Sequence, residues 1–207
     1  MSNARNRILE ATCALLEVQG FQATGLNQII KDSGAPKGSL YYYFPDGKEG
    51  LVAEAVAHSA STTADRIQAH LASVEDPAEA VRSFVYALAQ YIQASDYRSG
   101  GPIATTALEA AAASERVRHA CCQAYQSWQA AFKTKLVGGG LPEERAASLA
   151  ALIIASIEGA IILSRTEKSI TPLHQTADEL HQIISRPPFG QGASTSQVEA
   201  QTCASLQ

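Results

Sequence analysis

Residues 34–44 read Gly34-Ala35-Pro36-Lys37-Gly38-Ser39-Leu40-Tyr41-Tyr42-Tyr43-Phe44. A glycine–proline break is followed by a helix of barely two turns, ended by Phe44-Pro45, because the residue before proline is disfavoured in the helical region. A helix this short cannot hold itself together in water and needs anchors. Leu40 and Phe44, four apart, supply an inward face. The remaining set, Lys37, Gly38, Ser39, Tyr41, Tyr42 and Tyr43, is expected to face largely outward. Those residue types suit nucleic acid. Lysine neutralises phosphate, hydroxyls donate to phosphate oxygens and fix register, and glycine lets a backbone come close. Such a helix fits a DNA major groove about 12 Å wide.

Working outward, the punctuation is all-helical. Upstream, Ile8, Ala11, Leu15 and Val18 form an apolar stripe that Gly20 closes. Thr24 is read as the cap of a second short helix carrying Leu26, Ile29 and Ile30. Together with Leu40 and Phe44 these make a small three-helix core. Downstream, Asp46 with Glu49 reads as a capping box opening a long helix to about Val74. Asp76-Pro77 starts a fifth helix with Val81, Phe84, Val85, Leu88 and Ile92. Gly100-Gly101-Pro102 breaks the chain before a short helix through Ile103, Ala107 and Leu108. Ser114 opens another, striped by Cys121, Tyr125, Trp128, Phe132 and Leu136 and stopped by Gly138–Gly140. Pro142 opens the most apolar helix, to about Arg165, and Thr171-Pro172 the last, to about Ser185. No stretch alternates with period two long enough to build a sheet.

Residues 5 to 55 resemble the helix-turn-helix domain of the TetR family of bacterial repressors, and the quoted string carries that likeness. Phe21, Thr24, Ile29 and Leu51 also fall where the family has its pattern. The Ala35-to-Ser39 variant, with Phe44-Pro45-Asp46-Gly47-Lys48-Glu49, is similar to a subgroup regulating drug efflux or flavonoid degradation. That likeness runs weakly into Gly101–Glu109, where the subgroup often has Cys in place of Gly101. The resemblance implies an N-terminal reading head at 1–50 and a larger helical ligand-binding and dimerisation domain at 51–185. It makes Asn27 to Ser33 the supporting helix, and Lys37 to Tyr43 the recognition helix. Lys37, Gly38, Ser39 and Tyr42 come nearest bases; Thr24, Tyr41, Tyr43 and Lys48 are expected at phosphates, and Asn27 joins the DNA-binding set. Pro36 stands where the family usually has a capping serine and is read as the first helical residue. It also implies double-stranded operator DNA, a second copy of the chain and a small-molecule inducer as partners.

Charge sets a condition on that reading. The chain of 207 residues has a net charge of −4, which lends no support to general nucleic-acid coating. In residues 1–50, Arg5, Arg7, Lys31, Lys37 and Lys48 balance Glu10, Glu17, Asp32, Asp46 and Glu49. DNA contact must then rest on local focusing, with lysines and helix N-termini toward phosphate.

The rest of the chain carries no nucleotide loop, zinc motif or nucleophile elbow. No catalytic residue, metal site or cofactor is assigned; an enzyme, or an adaptor using the tyrosine helix on a protein partner, stands as the alternative. A pocket for a small apolar or aromatic molecule is expected among Phe84, Leu88, Tyr91, Ile103, Thr106, Leu108, Tyr125, Trp128 and Phe132. Glu115, His119 and Cys122 share a helical face but lack a fourth ligand. Cys13, Cys121, Cys122 and Cys203 are read as free thiols in a reducing cytoplasm, with Cys121 and Cys122 buried. His174 and His181 are read as packing or surface residues. Ala151, Ala155 and Gly159, with Ile153, Ile157, Leu180 and Ile184, are expected at a two-fold interface. The longest apolar run, Leu149–Ile157, is too short for a membrane span, and Met1–Arg5 shows no signal-peptide pattern. Residues 186–207 read as a loose tail.

Overall fold

The computed structural model describes residues 3–101 and 103–186, with the backbone alone at Ala111. The described residues form α1 (Ala4–Ala23), α2 (Leu26–Ser33), α3 (Lys37–Tyr43), α4 (Gly47–Ser73), α5 (Pro77–Ala94), α6 (Ala104–Ala113), α7 (Glu115–Gly138), α8 (Glu143–Glu167) and α9 (Thr171–Ser185), and no strand. The tail expected at 186–207 lies outside the described residues beyond Arg186. So does Pro102.

Local chemistry sets several boundaries. The Asn3 side chain accepts from the Arg5 amide at 3.2 Å and starts α1. Asp76 accepts from the Glu79 amide at 2.7 Å, with Pro77 next, and starts α5. Ser114 caps α7 in the same way. Gly34 ends α2 in the left-handed conformation, which costs glycine nothing.

Helices α1, α2 and α3 make the head, α1 packing on both others. Ile8, Leu16, Ile29, Leu40 and Phe44 are fully buried in it. The body is built on α4 lying along α7, with α5 against α9 and α8 between α7 and α9. Trp128 is buried on α7, and its indole N–H donates to the Ala60 carbonyl of α4 at 3.0 Å. Helix α4 runs unbroken through residue 50, so the expected boundary between head and body falls inside a helix.

Several sequence readings are corrected. The buried face of α1 is Ile8, Leu9, Thr12 and Leu16, and Val18 is 59% exposed. Thr12 disguised that face; its hydroxyl is satisfied by the Ile8 carbonyl at 2.7 Å. Gly20 breaks α1 at φ 76°, but one more turn follows to Ala23. Thr24 does not cap α2. It is buried, and its hydroxyl donates back to the Gly20 carbonyl at 2.6 Å. Pro36 occupies the cap position of α3 rather than its first turn. Asp46 precedes α4 but makes no cap bond, because Arg116 takes its carboxylate at 2.8 Å. By length and composition α8 could cross a bilayer, a point the run-length reading missed; here its buried face packs on α7 and α9.

Candidate nucleic-acid interface

The outward face of α3 is the site. Leu40 faces the core, and Phe44, just past the helix end, is buried too, so the two anchors hold a segment too short to stand alone. Lys37, Gly38, Tyr41 and Tyr42 are exposed, Tyr42 at 79%. Ser39 and Tyr43 are only half-exposed; Tyr43 packs against the core and meets the Tyr42 ring edge-on at 5.0 Å. Asn27 is exposed on α2. Thr24, buried, has no path to a phosphate. Lys48 is half-buried: its ammonium donates to the Gln22 carbonyl at 3.3 Å and lies 4.6 Å from the centre of the Phe21 ring. Desolvation draws its pKa down and Glu109 pulls it back up. Among the head's other cations, Arg5 pairs with Glu54 and Arg7 donates to the Gly34 carbonyl. The side chains of Lys31 and Lys37 make no ion pair or hydrogen bond among the described residues and are free for DNA.

The head is fastened to the body through the last turns of α1. The Gln22 amide donates to Glu109 of α6 at 2.8 Å. A side chain at Gly20 would meet Thr105 at 2.7 Å and Glu109 at 2.9 Å. The Gly100 amide donates to Glu17 at 2.7 Å. None of these contacts was readable from spacing, since each joins residues more than eighty positions apart.

The expected ligand-lining set divides. Phe84, Leu88 and Tyr91 border a cavity of about 570 Å³ between α1, α4 and α5. Ile103, Thr106, Trp128 and Phe132 do not reach it and are buried in the core; Leu108 is 76% exposed on α6. The stripe on α7 is core because α4 and α8 cover it from both sides. Tyr125, also off this cavity, faces Glu158 of α8 and packs edge-on to Trp128 at 5.3 Å. Burial pushes the Glu158 carboxyl up to about 7, with Tyr125 drawing it down, and one of its oxygens is buried without a hydrogen bond. The group's folded pKa lies above its ordinary 4.5. Its stabilising contribution is therefore complete below pH 4.5 and is lost as pH rises through 7. Glu158→Gln is expected to flatten thermal stability across that window and raise it at pH 8, measured by unfolding scans from pH 4 to 8.

Other candidates settle plainly. Glu115 is held by Arg118, and no cluster of three metal-ligating side chains occurs among the described residues. Cys13 and Cys121 are pushed up to about 11 by burial. Cys122, expected inside, is exposed on α7; Cys203 lies outside the described residues. His174 stacks on Tyr86 at 4.3 Å. On α8, Ala151, Ala155 and Gly159 are exposed, together with Leu152, Ile162 and Leu163. Ile153, Ile157, Leu180 and Ile184 are instead buried within the chain, where α8 packs on α7 and α9. They are not free to meet a partner.

A three-helix head with a buried Leu40–Phe44 anchor and an outward lysine–tyrosine face defines a helix-turn-helix, DNA-binding transcriptional regulator. Residues 8–55 match the family of bacterial regulatory proteins named after tetR. Residues 77–179 match the C-terminal domain of LmrA/YxaF-like transcriptional regulators. The chain is 41% identical to the uncharacterised regulator YxaF of Bacillus subtilis over 88% of its own length and 95% of that protein's. It is 39% identical to the helix-turn-helix regulator LmrA of the same organism, over 89% and 98%. Its fold is that of NemR from E. coli in reduced form, with a TM-score of 0.76, 22% identity and coverage of 90% of this chain and 100% of that one. The chain belongs to the TetR family of transcriptional regulators. These matches are to regulators, not enzymes, and set the enzyme reading aside.

Proposed function

We propose that the chain is a cytoplasmic repressor that reads a palindromic operator as a homodimer and is released by a small apolar or aromatic molecule. The observation that carries the reading is the outward face of α3, with Lys37, Gly38, Tyr41 and Tyr42 exposed over buried Leu40 and Phe44. Lys37, Gly38, Ser39 and Tyr42 approach base edges; Tyr41 and Tyr43 steady the helix on phosphates, and Asn27 supports from α2. Palindromy follows from pairing, since two recognition helices about 34–36 Å apart read two half-sites. The apolar row of Ala151, Ala155 and Gly159, flanked by Leu152, Ile162 and Leu163, is the two-fold contact, with the small residues letting helices close in. Residues 1–50 act as the reading head and 51–185 as the sensing and pairing domain. The likeness of residues 35–39 and 44–49 to the subgroup regulating drug efflux or flavonoid degradation supports control of genes of that kind.

The test is titration on the chain's own promoter fragment at several salt concentrations. Lys31 and Lys37, whose side chains have no partner among the described residues, place four free charges on a dimer and predict a log–log slope of about −3.6, at about −0.9 per charge neutralised. A slope near zero overturns direct phosphate contact.

A further inference from the structure

The cavity between α1, α4 and α5 is walled on one side by the reading head itself. Glu10, Cys13, Ala14 and Glu17 line it, at the i, i+3, i+4, i+7 spacing of one helical face. The opposite face of the same helix carries Ile8, Leu9 and Leu16, the core of the head. Helix α1 is thus shared: one side holds α2 and α3 in place, the other borders open space. The far wall is apolar and aromatic. Phe84 and Leu88 are half-buried there, and Tyr91 is 50% exposed. At about 570 Å³ the space matches a drug-sized ligand.

Its charge is lopsided. Among the described residues the Glu10 carboxylate has no ion pair or hydrogen bond, and one Glu17 oxygen accepts from the Gly100 amide. Arg66 also lines the space, as do His58 and His70. His70 is engaged, with its ring nitrogen 3.0 Å from the Ser83 hydroxyl and its ring edge-on to Phe84. Both carboxylates stand on the α1 side with the Cys13 thiol, and their field adds to burial in pushing that thiol up to about 11. Negative potential on one wall and aromatic faces on the other favour a cation with a flat body.

The geometry points to this groove as an effector site for a flat organic cation, seated directly against the first helix of the reading head. The inference rests on the reading that a small molecule releases the chain from DNA, and it names where that molecule sits and what charge it carries. Occupancy bears on α1 without any relay through the body. A cation filling the groove repositions the helix on which α2 and α3 are packed. It must bind better to the DNA-free arrangement than to the DNA-bound one, since equal affinity shifts nothing.

Rhodamine 6G and fluorescein share one xanthene scaffold with opposite charge, and their polarisation reports binding to the full chain. Rhodamine 6G is expected to bind about tenfold or more tighter than fluorescein. Glu10→Gln combined with Glu17→Gln keeps the Gly100 acceptor, and should weaken rhodamine 6G about tenfold while leaving fluorescein unchanged. Ala14→Trp, at an exposed position, fills the groove and should abolish binding of the cationic dye. In gel retardation, rhodamine 6G should release promoter DNA from the parent protein and not from Ala14→Trp. Equal affinity for the two dyes, unaltered rhodamine binding by Ala14→Trp, or binding without DNA release each overturns the assignment. If the dye-free protein never retards its promoter, the regulator reading fails separately, and the polarisation data still decide the groove.

Discussion

Replacing Lys37 and Tyr42 together by alanine is expected to lower promoter affinity about 100-fold or more, from two contacts each worth about 1–3 kcal/mol. Thermal unfolding should barely move. Among the described residues the Lys37 side chain has no partner, and Tyr42, 79% exposed, meets the Tyr43 ring edge-on. Surface changes of this kind shift stability by about 0.5 kcal/mol or less, and alanine is a better helix former than either residue. Anisotropy titration of a labelled promoter fragment reads the first effect and a melting scan the second. Unchanged DNA affinity with an intact fold would remove α3 from the DNA surface and return the tyrosine helix to protein recognition.

Gly20→Ala should act on stability instead. At φ 76° and ψ −173° the backbone occupies a region that only glycine enters freely, at a cost to other residues of about 1–3 kcal/mol. The added methyl would also press Thr105 at 2.7 Å and Glu109 at 2.9 Å, and overpacking typically adds about 1–3 kcal/mol. A loss of about 3 kcal/mol is expected, lowering the melting temperature by roughly 6–12 °C. Gly138→Ala is the control. It ends α7 with no atom of the described residues within 4 Å of the new methyl and no positive φ, and should be neutral to slightly stabilising. Equal effects at the two positions would mean that the Gly20–Glu109 junction does not clamp head to body.

What the sequence made legible follows from locality. The head was readable because Leu40, Phe44, Gly34 and Pro36 have short-range consequences: an anchor pair, a left-handed cap, a break. Asp76 and Ser114 announced their helices for the same reason. The capping roles of Thr24 and Asp46 were misread because each has a local meaning and a stronger partner elsewhere, and the hold on Lys48 was not visible for the same reason. Thr24 turned inward to Gly20, Asp46 was taken by Arg116 and Lys48 by Gln22. The aromatic stripe on α7 looked like a pocket wall, since periodicity reveals an apolar face but not whether another helix covers it. The interface residues on α8 divided likewise: the small ones lie outside, and Ile153 and Ile157 face α7 and α9. The open groove against α1 had no signature, because its walls come from three separated stretches of chain.

Helix α4 begins beside the recognition helix and runs without interruption for 27 residues alongside α7. At 1.5 Å per residue it is a strut about 40 Å long. Pivoting that strut by about 5° at its far end swings the near end sideways by about 3.5 Å, one base-pair rise. Misalignment by a single rung is therefore within reach of a tilt of only a few degrees.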